Sequence, residues 1–333
     1  MGGRLRAALL RRLHGPYRDI AGAESRLSER LATIEQRLSD LEAAALELRG
    51  VSHGTQDLAR DTLDVTRETL DLARGELSPL LRTIAAEDAE NRRRLSALRA
   101  SPEYERAFSE PNPLVSITVA TCGRPELLAT RSLPSILAQS YEHIEVVVVG
   151  DHVTDETAET VASLGDLRVR YANLTQRCPA SDDPHKSWLV ASTMARNEAM
   201  RLADGLWVVA FDDDDSMRPD HIERLLVAAR DQRAEVSYAR VRCHWDDGAE
   251  IDSGDFPPRL TQFSWDGALY HGGLRFFERE LVAAHLGVPG DWYLCDRMLR
   301  VGVRFHMTDA VVADVRPSER HNALRRDQHA WRA

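Results

Sequence analysis

Leu206-Trp207-Val208-Val209-Ala210-Phe211 runs without a break into Asp212-Asp213-Asp214-Asp215, and how this stretch is read decides the fold. A short, continuous apolar run that ends at polar residues reads as a strand buried on both faces. Such strands belong to open α/β sheets, which take their ligands at the strands' carboxyl ends. Adjacent carboxylates repel one another, so this strand end is electrostatically strained without a counter-charge. Hard oxygen ligands packed this closely suit Mg2+ or Mn2+, and such a cation would both relieve the repulsion and bridge to a diphosphate. A solvated acidic turn is the plainer reading of the tetrad taken alone.

Working outward, residues 114–120 (Leu-Val-Ser-Ile-Thr-Val-Ala) and 144–149 (Ile-Glu-Val-Val-Val-Val) repeat the apolar, β-branched pattern, and Val169-Arg170-Tyr171 makes a shorter strand. Helical stretches at about 126–139, 155–164 and 188–203 alternate with them. Strands alternating with helices predict βαβ units and a mainly parallel, Rossmann-like sheet with helices on both faces. Polar residues follow the strands: Thr121-Cys122-Gly123-Arg124-Pro125, then Gly150-Asp151-His152-Val153-Thr154-Asp155, then the tetrad. Neither GxGxxG nor GxxxxGK[ST] occurs, so the dinucleotide fingerprint and the P-loop are both missing.

The first hundred residues have a different grammar. Leu27, Leu31, Ile34, Leu38, Leu41, Ala45 and Leu48 alternate spacings of four and three, the seam of a coiled coil. Glycines at 50 and 54 interrupt it. Leu63, Leu70, Leu77 and Ile84 then recur one heptad apart, and Asp88 and Asn91 are polar breaks in a seam that continues to Leu95 and Leu98. Pro79 marks a bend or a restart. The seam predicts either homo-oligomerisation through these helices or a hairpin folded on its own domain. Three prolines between 101 and 113 read as a linker. The predicted organisation is therefore a helical, coiled-coil region at 1–100, a linker at 101–113, an α/β domain at 114–318 and a tail at 319–333.

The chain has 333 residues and a formal net charge of −10, which argues against non-specific nucleic-acid binding. It contains no apolar stretch of about eighteen residues that could span a membrane. The basic, amphipathic start (Arg4 to Leu13) lacks the features of a secretory signal. It suits either an anionic membrane surface or the opening of a surface helix. Cys122, Cys178, Cys243 and Cys295 lie far apart, without a CxxC pair. Their spacing speaks against a zinc site or a disulfide framework and for a reducing cytoplasm, with peripheral contact at the inner membrane face as the further expectation.

Taken together, several segments resemble family 2 glycosyltransferases: residues 116–125, Gln139-Ser140-Tyr141 with 146–155, Ala195-Arg196-Asn197, Phe211 to Pro219, and Gly290-Asp291-Trp292 through Arg297. The resemblance covers about 114–317, and its specificity lies in the order and spacing of the motifs. It implies a GT-A fold, a nucleotide-diphosphate sugar donor (UDP-, GDP- or dTDP-linked), Mn2+ or Mg2+, and inversion at the anomeric carbon by a hexosyltransferase-type enzyme of class EC 2.4. Carried over by position, Thr121, Arg124 and Asp151 would line the nucleoside, with Gly150 standing where many relatives have a first acid. Arg196 would face the diphosphate. Asp212, Asp213 and Asp214 would form the DxD motif, with Asp214 as the main metal ligand, Asp212 close to metal or ribose and Asp213 on the donor. Asp215 would cap the following helix.

The resemblance further makes Asp291 the general base, in a Gly-Asp where relatives carry Glu-Asp; an N-cap is the plain alternative. His321 is the late histidine nearest to a metal-ligand role, although its context fits a surface histidine better. His271-Gly272-Gly273 would either shape the acceptor side or form a simple turn. The acceptor, whether glycan, lipid or protein, is not named by the sequence. A second class of function is a coiled-coil scaffold carrying a degenerate nucleotide-sugar-binding domain. A third is a phosphoryl- or nucleotidyl-transfer enzyme that shares DxD chemistry.

Overall fold

In a computed structural model the described residues are 78–179, 181–319 and 321–323, with isolated positions between 29 and 75. The chain divides into two compact units, Met1–Arg93 and Arg94–Ala333. Most of the first seam lies outside the described residues, as do Leu63, Leu70 and Leu77 and the basic start. Of the first seam only Ile34 is described, and its side chain is exposed. Residues 78–99 form one helix, Ser78–Arg99. It opens with Pro79 in its first turn, where the missing N–H costs nothing. Leu81, Ile84, Asp88, Asn91 and Leu95 are buried along it in the four-three rhythm. No helix among the described residues is long and apolar enough to cross a membrane.

The second unit is built on a nine-stranded sheet ordered β3-β2-β1-β4-β8-β6-β9-β5, with β7 paired to β6. Its strands are β1 Val115–Thr121, β2 Ile144–Gly150, β3 Val169–Asn173, β4 Trp207–Asp212, β5 Ser216–Met217, β6 Val236–His244, β7 Glu250–Ser253, β8 Ala268–His271 and β9 Phe305–Val315. The block β3-β2-β1-β4 is parallel throughout. β8 then turns the sheet antiparallel, pairing with β4 at only two positions, Trp207↔His271 and Val208↔Tyr270. A parallel block followed by a mixed half, with helices on both faces, is the α/β architecture expected of a GT-A domain.

Both faces of the parallel block are covered, which is why its strands read as continuous apolar runs. Val115, Ile117 and Val119, Val146 and Val148, and Trp207, Val209 and Phe211 face one core. Ala120, Val147 and Val149 face the other, against Ala195 and Ala199 of the helix Thr193–Leu202. Small residues four apart form a shallow helix face that can lie close to the sheet.

Two expectations need correction. The stretch 101–113 is a packed part of the second unit: Ser101 caps a helix, Pro102–Ser109, whose Tyr104, Ala107 and Phe108 are buried. Ala107 O accepts the Trp207 Nε1–H bond at 2.9 Å, and the Phe108 and Trp207 rings meet edge to face at 5.3 Å. The single helix predicted over 188–203 is two helices, Pro184–Leu189 and Thr193–Leu202. Ser192 between them adopts φ +56°, a left-handed conformation that a continuous right-handed helix excludes.

Candidate active site

Strand register assembles the site. Thr121 lies opposite Gly150, and Ala120 opposite Asp212, so the carboxyl ends of β1, β2 and β4 form one edge. Thr121 is fully buried, and its carbonyl accepts the Asp151 N–H bond at 2.9 Å. The Asp151 carboxylate is itself buried and accepts from the Cys178 amide at 2.9 Å. The missing first acid at 150 now has a steric reason. A Cβ there would lie 2.7 Å from Asn173 Oδ1 and from Val153 Cγ2, and 2.8 Å from the Tyr171 hydroxyl.

Two arginines and a backbone amide meet the four adjacent carboxylates, with Arg124 shared between Asp213 and Asp214. Asp212 Oδ1 pairs with Arg196 Nη2 at 2.7 Å. Asp213 is fully buried and pairs with Arg124 Nη2 at 2.6 Å. Asp214 Oδ2 is gripped by Arg124 Nη1, while its carbonyl accepts from Arg131 Nη1 at 2.7 Å. Asp215 Oδ1 accepts the Arg316 amide at 2.8 Å. The next helix, His221–Asp231, starts instead behind Asp220, so Asp215 is not its cap. Arg124 thus lies against the acidic turn.

A further carboxylate, absent from the sequence reading, completes the cluster. Asp266, in the turn before β8, accepts the Asp212 amide at 2.9 Å through Oδ1 and the Ser264 hydroxyl at 2.8 Å through Oδ2. Oxygen atoms of Asp212, Asp215 and Asp266 lie within 4.8 Å of one another. Burial, then the charge of Asp212, pushes the Asp266 carboxyl up to about 8. Burial likewise raises Asp215 well above the ordinary range, with Asp266 and Asp212 adding to it. Burial lifts Asp213 to about 6 against the pull of Arg124. Protons held this tightly mark a site short of positive charge, and the all-oxygen donor set is of the kind that takes a hard divalent cation. Asp214, expected as the main metal ligand, is not in this group of three: its carboxylate goes to Arg124.

Asp291 lies in the first turn of the helix Gly290–Val301, close enough to Arg196 to feel its charge. Pro289 holds the N-cap position, so Asp291 is not the cap. Its side chain is 49% exposed, and Arg279 Nε holds Oδ1 at 2.8 Å. Burial would raise this carboxyl, but the charges of Arg196 and Arg279 outweigh it, and its pKa is lowered. Burial opposes the charge on Arg196, yet Asp212 and Asp291 outweigh that in turn and its pKa rises. Arg196 is therefore the group common to both acids.

The remaining candidates fall outside this constellation. His271 is buried: its Nδ1 accepts from the Gly273 amide at 2.9 Å and its ring stacks on Tyr104 at 5.0 Å, so the His-Gly-Gly segment is a packed turn. His321 pairs through Nδ1 with the Ser318 hydroxyl at 2.9 Å and meets the Trp188 ring edge to face. Asp266 and Arg279 escaped the sequence reading. Their neighbours, Ser264-Trp265-Asp266-Gly267 and Glu278-Arg279-Glu280, read as ordinary turn and surface residues.

Comparison with known proteins concerns the domain as a whole. The family model described as glycosyl transferase family 2 matches residues 116–180 and 188–285. The colanic acid biosynthesis glycosyl transferase WcaA of Escherichia coli K12 is 31% identical over 117 residues, 34% of this chain and 37% of that protein. The succinoglycan biosynthesis protein ExoO of Rhizobium meliloti 1021 is 32% identical over 130 residues, 39% of this chain and 32% of that protein. The match thus spans about a third of the length of each of these relatives. Among solved structures, S. aureus TarS 1–349 in complex with UDP shows a TM-score of 0.49 at 18% identity, covering 61% of this chain and 60% of that one. The mannosyltransferase PcManGT of Pyrobaculum calidifontis gives 0.43 at 20%, covering 75% and 70%.

Proposed function

The chain belongs to glycosyl transferase family 2, and on that premise we propose that it moves a sugar from a nucleotide-diphosphate sugar to an acceptor hydroxyl with inversion. The observation that carries this reading is that Arg196 pairs with Asp212 and also feels the charge of Asp291. A bound diphosphate would be met by Arg196, whose planar guanidinium suits phosphate oxygens. Thr121, Arg124 and Asp151 line the strand ends where the nucleoside would lie, and Asp213 would hold Arg124 toward it.

Asp212, Asp215 and Asp266 fit a Mn2+ or Mg2+ ion by their oxygen chemistry and shared excess of negative charge. Asp214 would join them on leaving Arg124. When bound, the ion would offset charge on the leaving diphosphate. Asp291 serves as general base: ionised by its two arginines and half exposed, it can take the proton of an acceptor hydroxyl as that oxygen attacks.

The test is transfer or slow donor hydrolysis with UDP-, GDP- and dTDP-sugars, measured as nucleoside diphosphate release. Asp291→Asn is expected to lower kcat by roughly two to four orders of magnitude with donor affinity unchanged. Release of sugar 1-phosphate in place of nucleoside diphosphate, or full turnover by the variant, would overturn the reading.

A further inference from the structure

Asp291 is held by one oxygen only. Arg279 Nε engages Oδ1, and no described residue hydrogen-bonds Oδ2. The Arg279 side chain is 3% exposed, so its direction is fixed by packing, and its buried Nη2 has no hydrogen-bond partner among the described residues. Its guanidinium lies over the Trp265 ring at 5.9 Å, while Trp265 Nε1 donates to Asp291 O at 2.9 Å. One indole thus braces the backbone of Asp291 and the arginine that grips its side chain.

Arg279 is in turn fixed by Asn197. The Arg279 amide donates to Asn197 Oδ1 at 2.9 Å, and Asn197 Nδ2 donates back to Arg279 O at 2.9 Å. This two-point clamp joins residues distant in sequence, and each bond holds the other in register. Asn197 directly follows Arg196 on the helix Thr193–Leu202. One helical turn therefore sets both the arginine that pairs with Asp212 and the backbone of the arginine that pairs with Asp291.

From this geometry we propose that Arg279, clamped by Asn197, is a positioning residue that holds Asp291 Oδ1 and leaves Oδ2 as the proton-accepting atom, in a fixed relation to Arg196. The inference rests on Asp291 being the base. In the step, the acceptor O–H bond breaks and its proton passes to Oδ2. The acceptor oxygen forms a bond to the anomeric carbon as the bond from that carbon to the diphosphate oxygen breaks. The electron pair leaves with the nucleoside diphosphate. Arg279 neither gives nor takes a proton.

The charged groups facing Asp291 are Arg279 and, from the other element packed against it, Arg196; Arg196 in turn faces Asp212 and Asp266. Both arginines lower the Asp291 pKa, so removing one raises it. Activity needs the ionised carboxylate, so the acid limb of kcat/KM must move to higher pH.

The full-length protein is assayed as Arg279→Gln, Arg279→Lys, Asn197→Ser and Asp291→Asn, with donor binding measured separately. Arg279→Gln is expected to lower kcat by about one to two orders of magnitude, to shift the acid limb upward and to leave donor affinity within about twofold. Arg279→Lys restores part of the acid limb but not kcat, because it keeps the charge and loses the fixed direction. Should Arg279→Gln fail to fold, Asn197→Ser reads the same point through the clamp and is expected to lower kcat without loss of donor binding. Full turnover by Asp291→Asn would sink the base assignment and this proposal with it. Loss of turnover in Asp291→Asn, with kcat and the acid limb unmoved in both Arg279→Gln and Asn197→Ser, would overturn this proposal alone.

Discussion

Asp266→Asn is expected to stabilise the metal-free protein at neutral pH, although it alters the site. Asp266 is 8% exposed, and burial with the charge of Asp212 lifts its carboxyl from 3.8 to about 8. A carboxyl raised on folding binds its proton more tightly in the folded state, so this group's contribution to stability is greatest below about pH 4 and is lost as pH climbs toward 8. About three units of that window lie below pH 7, and at ~1.4 kcal/mol per unit the penalty at neutrality is at most ~4 kcal/mol. Asp215 is raised too, by burial and then by Asp266 and Asp212, so the two acids are coupled and one substitution should recover roughly half, ~2 kcal/mol. Asparagine keeps an oxygen for the Asp212 amide, so the hydrogen bond at 2.9 Å survives. Denaturant unfolding in chelator across the range from pH 5 to 8 is the assay. The variant should lead the wild type at pH 8, with the gap closing toward pH 5. Excess Mn2+ should close the gap at pH 8 as well, by stabilising the wild type more. Equal wild-type stability at pH 5 and pH 8 in chelator, with no lead for the variant, would refute the argument from crowded charge.

Three further outcomes follow from the packing. Gly150→Asp, which supplies the acid this chain lacks, should lose ~1–3 kcal/mol in thermal or denaturant unfolding, because its Cβ meets Asn173, Val153 and Tyr171; an unchanged midpoint would contradict the clash. Trp207→Ala should cost about 3–5 kcal/mol by denaturant unfolding, since the ring is fully buried between the sheet and the helix Pro102–Ser109. A chain starting at Arg94 should unfold later than one starting at Ser101, by ~1–3 kcal/mol, because Arg99 pairs twice with the fully buried Glu235 at 2.6 and 2.7 Å; identical midpoints would show that pair to be dispensable.

Much of the parallel block was legible because burial on both faces forces unbroken apolar runs. The predicted 114–120 and 144–149 sit within a residue of Val115–Thr121 and Ile144–Gly150. The tetrad stood out at the end of an apolar run, and Arg196 and Asp291 only through short motifs, which the structure puts on the helices Thr193–Leu202 and Gly290–Val301. The helix at 102 was signalled by Ser101-Pro102-Glu103, a cap, an N1 proline and a first-turn acid, yet the surrounding prolines outweighed it. The break at Ser192 carries no glycine to announce its positive φ. Asp266 and Arg279 gain their roles only through tertiary contacts, to the Asp212 amide and the Asp291 carboxylate, and local sequence holds no record of either.

β8 leaves β4 after two paired positions, and that early parting has a consequence at the far end of the strand. Beyond Val208 the side of β4 once facing β8 has amides but, among the described residues, no neighbouring strand to receive them. At Asp212 a side-chain oxygen from residue 266 stands in for the absent strand carbonyl. The rung that finishes the sheet is therefore made of the same carboxylate that crowds the acidic cluster. Its two duties are chemically separable: an amide at 266 can complete the ladder, but only an acid can add charge. Alanine would do neither, and would strip the Asp212 amide of its partner where the acidic turn begins.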